Sequence, residues 1–140
     1  MSMKYIDYIE CLCIIATKGG VDSMKKAEKD SGHSFEDYFK RALNPLVILS
    51  ILQERPKYAY EMTQELRERS NDVYNMPLLY PVLYRLEGNG YIEISETVIS
   101  EKNRVRNYYR ITDAGKAYLE ECKSQYQKLV EVANQFLEIE

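Results

Sequence analysis

Two tyrosines and an arginine, Tyr80, Tyr84 and Arg85, lie about one helical turn apart in the run LLYPVLYRLEGNGYI, residues 78–92. Four cations follow, Lys102, Arg104, Arg106 and Arg110, with no acidic residue between them. These side chains suit phosphate and base edges: guanidinium forks bind phosphate oxygens in pairs, and phenols donate protons or stack on sugars and bases. Support for catalysis is lacking. The chain offers no nucleophile beside a base, no glycine loop that would cradle phosphates, and no metal constellation, so it reads as neither an enzyme nor a cofactor carrier. Cys11, Cys13 and Cys122, with the single His33, fall short of a four-ligand zinc set. Their odd number, without framework spacing, indicates reduced thiols.

The elements that must hold these groups follow from apolar spacing. Leu79, Val82, Leu83 and Leu86 recur at i, i+3, i+4 and i+7, so a helix buries them and turns Pro77, Tyr80, Pro81 and Tyr84 outward. Asn75 is expected to cap its start, Pro81 to tighten or bend its first turn, and Gly88–Gly90 to supply the left-handed stop. A strand over 91–99 and a return strand over 105–111, joined by Ser100–Arg104, come next. Alternation on the return strand places Arg104, Arg106, Tyr108 and Arg110 on one face and Val105, Asn107, Tyr109 and Ile111 on the other. Against a phosphate-binding role stand simpler readings: a solvated basic hairpin, tyrosines packed on neighbours, and Arg85 paired with Glu87 or Glu61. Side chains that read bases are few beyond Arg85, so specificity would lean on DNA shape.

Upstream, residues 4–17 form an apolar helix ended by Gly19 and Gly20, and a short helix is expected around 24–29. Ser34 with Asp37 resembles a capping box for a short helix bearing Phe35, Tyr38, Phe39 and Ala42. Asn44 and Pro45 read as a fresh start, cap then first-turn proline, for Leu46–Gln53. Tyr58–Arg69 is the next helix, with Ala59, Met62, Thr63 and Leu66 inward. The expected fold is mainly α with a small β-hairpin, a winged helix-turn-helix. Thr112 caps a last helix, Asp113 to about Leu137, in which Leu119, Cys122, Tyr126, Leu129, Ala133 and Phe136 form a heptad seam. Such a seam predicts a homodimer; packing on the amino-terminal helix is the alternative. Three parts result: a helical extension over 1–42, the winged domain over 43–112, and a dimerisation helix over 113–140.

Composition permits this reading. Net charge over the 140 residues is −3, but residues 41–112 carry ten basic and nine acidic side chains, whereas 113–140 carry three and six. The acidity thus gathers on the dimer helix, and few phosphate contacts imply modest, salt-sensitive binding. The most apolar stretch, Ile9–Ala16, is too short to cross a bilayer and lacks the flanks of a secretory signal, so a cytoplasmic protein without a membrane partner is expected.

Three pieces carry a family resemblance: LNPLVILSIL followed by YAYEMTQELRER, then LLYPVLYRLEGNGYIE, then RNYYRITDAG leading into a long helix. From Leu43 onward the chain resembles the PadR family of bacterial transcriptional regulators. The resemblance implies a winged helix-turn-helix repressor that dimerises through its last helix and answers an effector. It further implies that the helix 75–88 enters the major groove of double-stranded operator DNA with Tyr80 and Tyr84 forward and Arg85 flanking, while Arg104 and Arg106 contact phosphates from the wing. Met76, Pro77 and Leu78 replace the small residues usual before the LYP run, and the extension before Leu43 departs from the family pattern. Tyr126, Phe136 and Tyr118, with Tyr5 and Tyr8, are candidates to line an aromatic cleft for a flat apolar effector. A winged module used for protein contact without operator binding is the alternative function.

Overall fold

Helix α1 runs from Phe35 to Leu52, longer than either helix expected there. The computed structural model describes residues 34–140. The expected helices over 4–17 and 24–29, and Tyr5, Tyr8, Cys11, Cys13 and His33, lie outside the described residues. Ser34 does cap: its Oγ accepts from the Asp37 amide at 3.1 Å and donates to the Asp37 carboxylate at 2.8 Å. Asn44 does not; it lies inside α1, where its Oδ1 accepts a hydrogen bond from the Tyr74 hydroxyl. Pro45 removes one rung of the helix ladder, but Ile48, Leu49, Ile51 and Leu52 are all buried beyond it and hold the helix across the gap. Tertiary packing overrides the local start signal.

Two units divide the chain, Met1–Phe39 and Lys40–Glu140. In the second, α2 (Ala59–Arg69) and α3 (Leu79–Gly88) are followed by the antiparallel strands β1 (Ile92–Ile99) and β2 (Val105–Ile111) and by α4 (Asp113–Leu137). This is the expected winged helix-turn-helix order. The α2–α3 turn is stabilised by Ser70, whose Oγ donates to the Leu66 carbonyl at 2.7 Å and accepts from the Tyr74 amide at 2.8 Å. Asn71 and Asp72 take the positive φ values, 51° and 64°, that short polar side chains tolerate.

Helix α3 begins at Leu79, so Asn75 is not its cap, and Leu78 precedes it without a side-chain cap bond. The shift resolves Pro81. It becomes a first-turn residue, whose amide would have no intrahelical partner in any case. At the far end Gly90 adopts φ +76° while the Tyr91 amide bonds the Leu86 carbonyl at 2.9 Å, closing the helix as expected. The strands pair from Ile92 with Ile111 to Ile99 with Val105, with a bulge between Ile94 and Glu96.

One core serves every element. Ile48, Leu49, Met62, Leu66, Leu79, Leu83, Leu86, Ile92, Tyr109 and Leu119 are buried together, as is Met76. The base of the wing is anchored on α4: Thr112 Oγ1 accepts from the Gly115 amide at 3.1 Å and donates to the Gly90 carbonyl at 2.6 Å. A Cβ at Gly115 would fall inside contact distance of the Tyr91 carbonyl oxygen, so only glycine lets α4 approach this closely.

Candidate nucleic-acid interface

Helix α3 is two-faced. Leu79, Leu83 and Leu86 are buried, while Tyr80 and Tyr84 on the other side are 60% and 73% exposed, as their spacing requires. Arg85 is exposed beside them. Neither carboxylate expected to compete for it does so: Arg55 engages Glu61, and among the described residues Arg85 has no ion pair, with Glu87 or any other residue. The phenols and this guanidinium project from one rigid helix toward solvent.

The wing distributes its cations unequally. Arg110 is neutralised, its guanidinium bonded across the strands to Glu93 with Nε at 2.7 Å from the carboxylate. Arg104 and Lys102 lie exposed near the tip, where Asn103 turns the chain at φ 57° and the Ser100 hydroxyl accepts from the Arg104 amide. Arg106 is neither free nor ion-paired: its guanidinium carbon lies 4.8 Å from the centroid of the Tyr58 ring. The apolar face expected opposite these residues is real only at its inner end. Tyr109 is buried, but Val105 and its partner Ile99 are exposed, because the hairpin extends past the body that would cover them.

The Tyr58 cluster has no counterpart in the sequence reading, which assigned neither Tyr58 nor Tyr60 a role. Tyr58 meets Tyr108 edge-on at 5.3 Å and lies 6.5 Å from Tyr60. Tyr58 and Tyr60, with Tyr80, Arg104 and Arg106, border a cavity of about 360 Å³ between the start of α2, α3 and the wing. The available signal was the repeated tyrosine in YAY at the head of α2. Lys57 was missed as well. Its side chain is buried with Nζ 2.6 Å from Glu65 and 3.1 Å from Glu54, and Arg69 holds Glu65 from the other side at 2.9 Å.

Helix α4 reaches roughly 37 Å at 1.5 Å per residue, and its seam divides in two. Leu119 and Cys122 are buried in the domain's own core, so they are spent before any partner arrives. Tyr126, Leu129, Ala133 and Phe136 remain exposed, Leu129 at 69% and Phe136 at 84%. Tyr118 does not join Tyr126: it stacks on Tyr91 at 4.2 Å between ring centres, and a hydrogen bond with Cys122, then burial, push its phenol up to about 12. Tyr126 instead lines a cavity of about 500 Å³ with Leu43, Leu46, Val47, Tyr74 and Leu119.

Comparison with known proteins agrees with this architecture. The model of the transcriptional regulator PadR-like family matches residues 48–121. The transcriptional regulator Rv3488 of Mycobacterium tuberculosis is 34% identical over 91 residues, which are 65% of this chain and 82% of that protein. A transcriptional regulator from Clostridium thermocellum superposes with a TM-score of 0.61 at 33% identity, covering 69% of this chain and 91% of its own. A PadR family transcriptional regulator from Eggerthella lenta gives 0.68 at 28% identity, covering 82% and 99%. With the matched segment spanning the helix-turn-helix, the wing and the start of the long helix, this chain belongs to the PadR-like family of transcriptional regulators.

Proposed function

We propose that the protein is a homodimeric, cytoplasmic repressor that binds double-stranded operator DNA and is released by a small apolar or aromatic effector. The observation that carries the reading is the exposure of Tyr80, Tyr84 and Arg85 along one side of α3, next to a wing whose Lys102 and Arg104 are unpaired among the described residues. Residues 43–112 act as the DNA reader and 113–140 as the dimer helix. In each protomer α3 enters the major groove and the wing lies on the adjoining backbone. The exposed stripe Tyr126, Leu129, Ala133 and Phe136 is buried against a second copy, which sets the two α3 helices at the spacing of successive duplex turns.

The cavity beside Tyr126 supports the effector part. Its volume falls in the range of about 300–1,000 Å³ common to small-molecule sites, and its walls combine leucines, Val47 and Ile51 with the Tyr74 and Tyr126 rings and a polar side that includes Arg69, Lys123 and Gln127. Of the tyrosines expected there, Tyr126 lines it, Tyr118 does not, and Tyr5 and Tyr8 lie outside the described residues.

A gel shift with the promoter region upstream of the protein's own gene tests the reading. A retarded band that dissolves with rising salt is expected. No shift at low salt, with a protein partner retained in a pull-down, would instead favour a winged module used for protein contact.

A further inference from the structure

Tyr58 stands at the junction between the start of α2 and the wing. Its backbone is extended, φ −95° and ψ 164°, one residue after Lys57, whose amide and carbonyl both bond Tyr109 on β2. The ring is therefore tied to the wing through the main chain, and Tyr108 supports it edge-on. Over it lies Arg106. A ring attracts a guanidinium through its π face and leaves the N–H edge available, whereas a carboxylate would occupy that edge. Of the carboxylates around the neighbouring cavity, Glu61 is engaged by Arg55 and Glu65 by Lys57 and Arg69, and Glu68 forms no ion pair with Arg106.

We propose that Tyr58 is a positioning residue for DNA binding: its ring holds Arg106 at the cavity bordered by Tyr60, Tyr80 and Arg104, where one backbone phosphodiester seats. The proposal rests on the DNA-binding reading and adds to it a division of labour within the wing. Arg104 reaches its phosphate as a free side chain. Arg106 is held beforehand, so less side-chain freedom is lost when the phosphate arrives.

The test is a double-mutant cycle by fluorescence anisotropy on the promoter duplex, with the salt dependence measured for each variant. Tyr58→Leu should weaken binding roughly two- to fivefold, the range of an exposed cation–π contact, and lower the salt slope. Tyr58→Phe should restore both. Tyr58→Leu combined with Arg106→Ala should bind no more weakly than Arg106→Ala alone. A DNA-free arm follows the Arg106 Nε–H resonance by NMR, expected to move in Tyr58→Leu and to stay in Tyr58→Phe, with melting curves confirming that each variant folds. Additive losses in the cycle, or a phenylalanine variant as weak as the leucine one, would overturn the positioning role while DNA binding stands. A wild-type protein that ignores duplex at low salt, its Arg106 resonance behaving as expected, would overturn both.

Discussion

Lys57 and Tyr109 exchange both backbone hydrogen bonds, the Lys57 amide donating to the Tyr109 carbonyl at 3.1 Å and the Tyr109 amide to the Lys57 carbonyl at 2.9 Å. This single bridge ties the start of the helix-turn-helix to the wing. The Lys57 side chain, 1% exposed as a residue, then runs inward to Glu54 and Glu65. A charge this deep is tolerable only because it is paired.

The pair should make stability depend on acid. For Glu65, burial alone would raise the carboxyl pKa, but the hydrogen bonds and charges of Lys57 and Arg69 outweigh it and hold the group below its usual 4.5. A depressed folded value stabilises fully above the unfolded pKa and loses that stability as pH falls through the folded one. Melting temperatures taken from pH 6 down to about 3 should fall for the wild type, and fall less steeply for Lys57→Met. Lys57→Ala should cost about 2–3 kcal/mol in urea unfolding, less than a fully buried broken pair because Arg69 remains on Glu65. Parallel acid limbs in the wild type and Lys57→Met would show that the network does not govern this dependence.

The three described glycines should respond differently to alanine. At Gly115 the added methyl meets the Tyr91 carbonyl, so Gly115→Ala should destabilise by about 1–3 kcal/mol and displace the wing base. Gly90 has φ +76°, and its alanine variant should cost about 1 kcal/mol. Gly88 is helical with open space around it, so Gly88→Ala should stabilise by about 0.5–1 kcal/mol. Thermal unfolding of the three variants checks the order, and a neutral Gly115→Ala would deny the close approach of α4.

Wing charges should divide by pairing rather than by count. Arg104→Ala should lower the slope of log K against log salt by about one, weakening all duplexes alike. Arg110→Ala should leave it nearly unchanged, since Glu93 already neutralises that guanidinium. Anisotropy titrations at several salt concentrations measure both. Equal slopes in wild type and Arg104→Ala would take that residue off the phosphate backbone.

Two leucines on α4 should separate folding from assembly. Leu129→Asp places a charge on the exposed stripe and should yield a folded monomer in sedimentation, because a charge buried unpaired in the seam is too costly. Leu119→Asp places it in the core and should unfold the chain, with a loss above about 3 kcal/mol. A Leu129→Asp protein that still sediments as a dimer would move the interface elsewhere.

Legibility in the sequence followed how local each cause was. The apolar stripe of α3, with Leu79, Leu83 and Leu86 buried and Val82 half-buried, the Thr112 cap and the hairpin bounds are decided within a few residues, and all stand in the structure. Asn44 and Asn75 carry equally good cap chemistry, yet neither caps. Asn44 found a partner thirty positions away in Tyr74, and α3 started where its leucines reached the core. Spacing also put Leu119 and Cys122 in the same stripe as Leu129 and Phe136, since periodicity records which residues share a helix face but not what covers each stretch of it.

By itself the sequence determined the element types, the tyrosine-bearing face of α3 and the presence of a cationic hairpin, because these depend on spacing and turn chemistry along the chain. Only the tertiary structure decided which cations stay available. Arg110 met Glu93 across the sheet, Arg106 met a ring from another element, and Lys57 was drawn inside by two carboxylates. Pairing of charges is set by distances through space, and no period in the sequence encodes them.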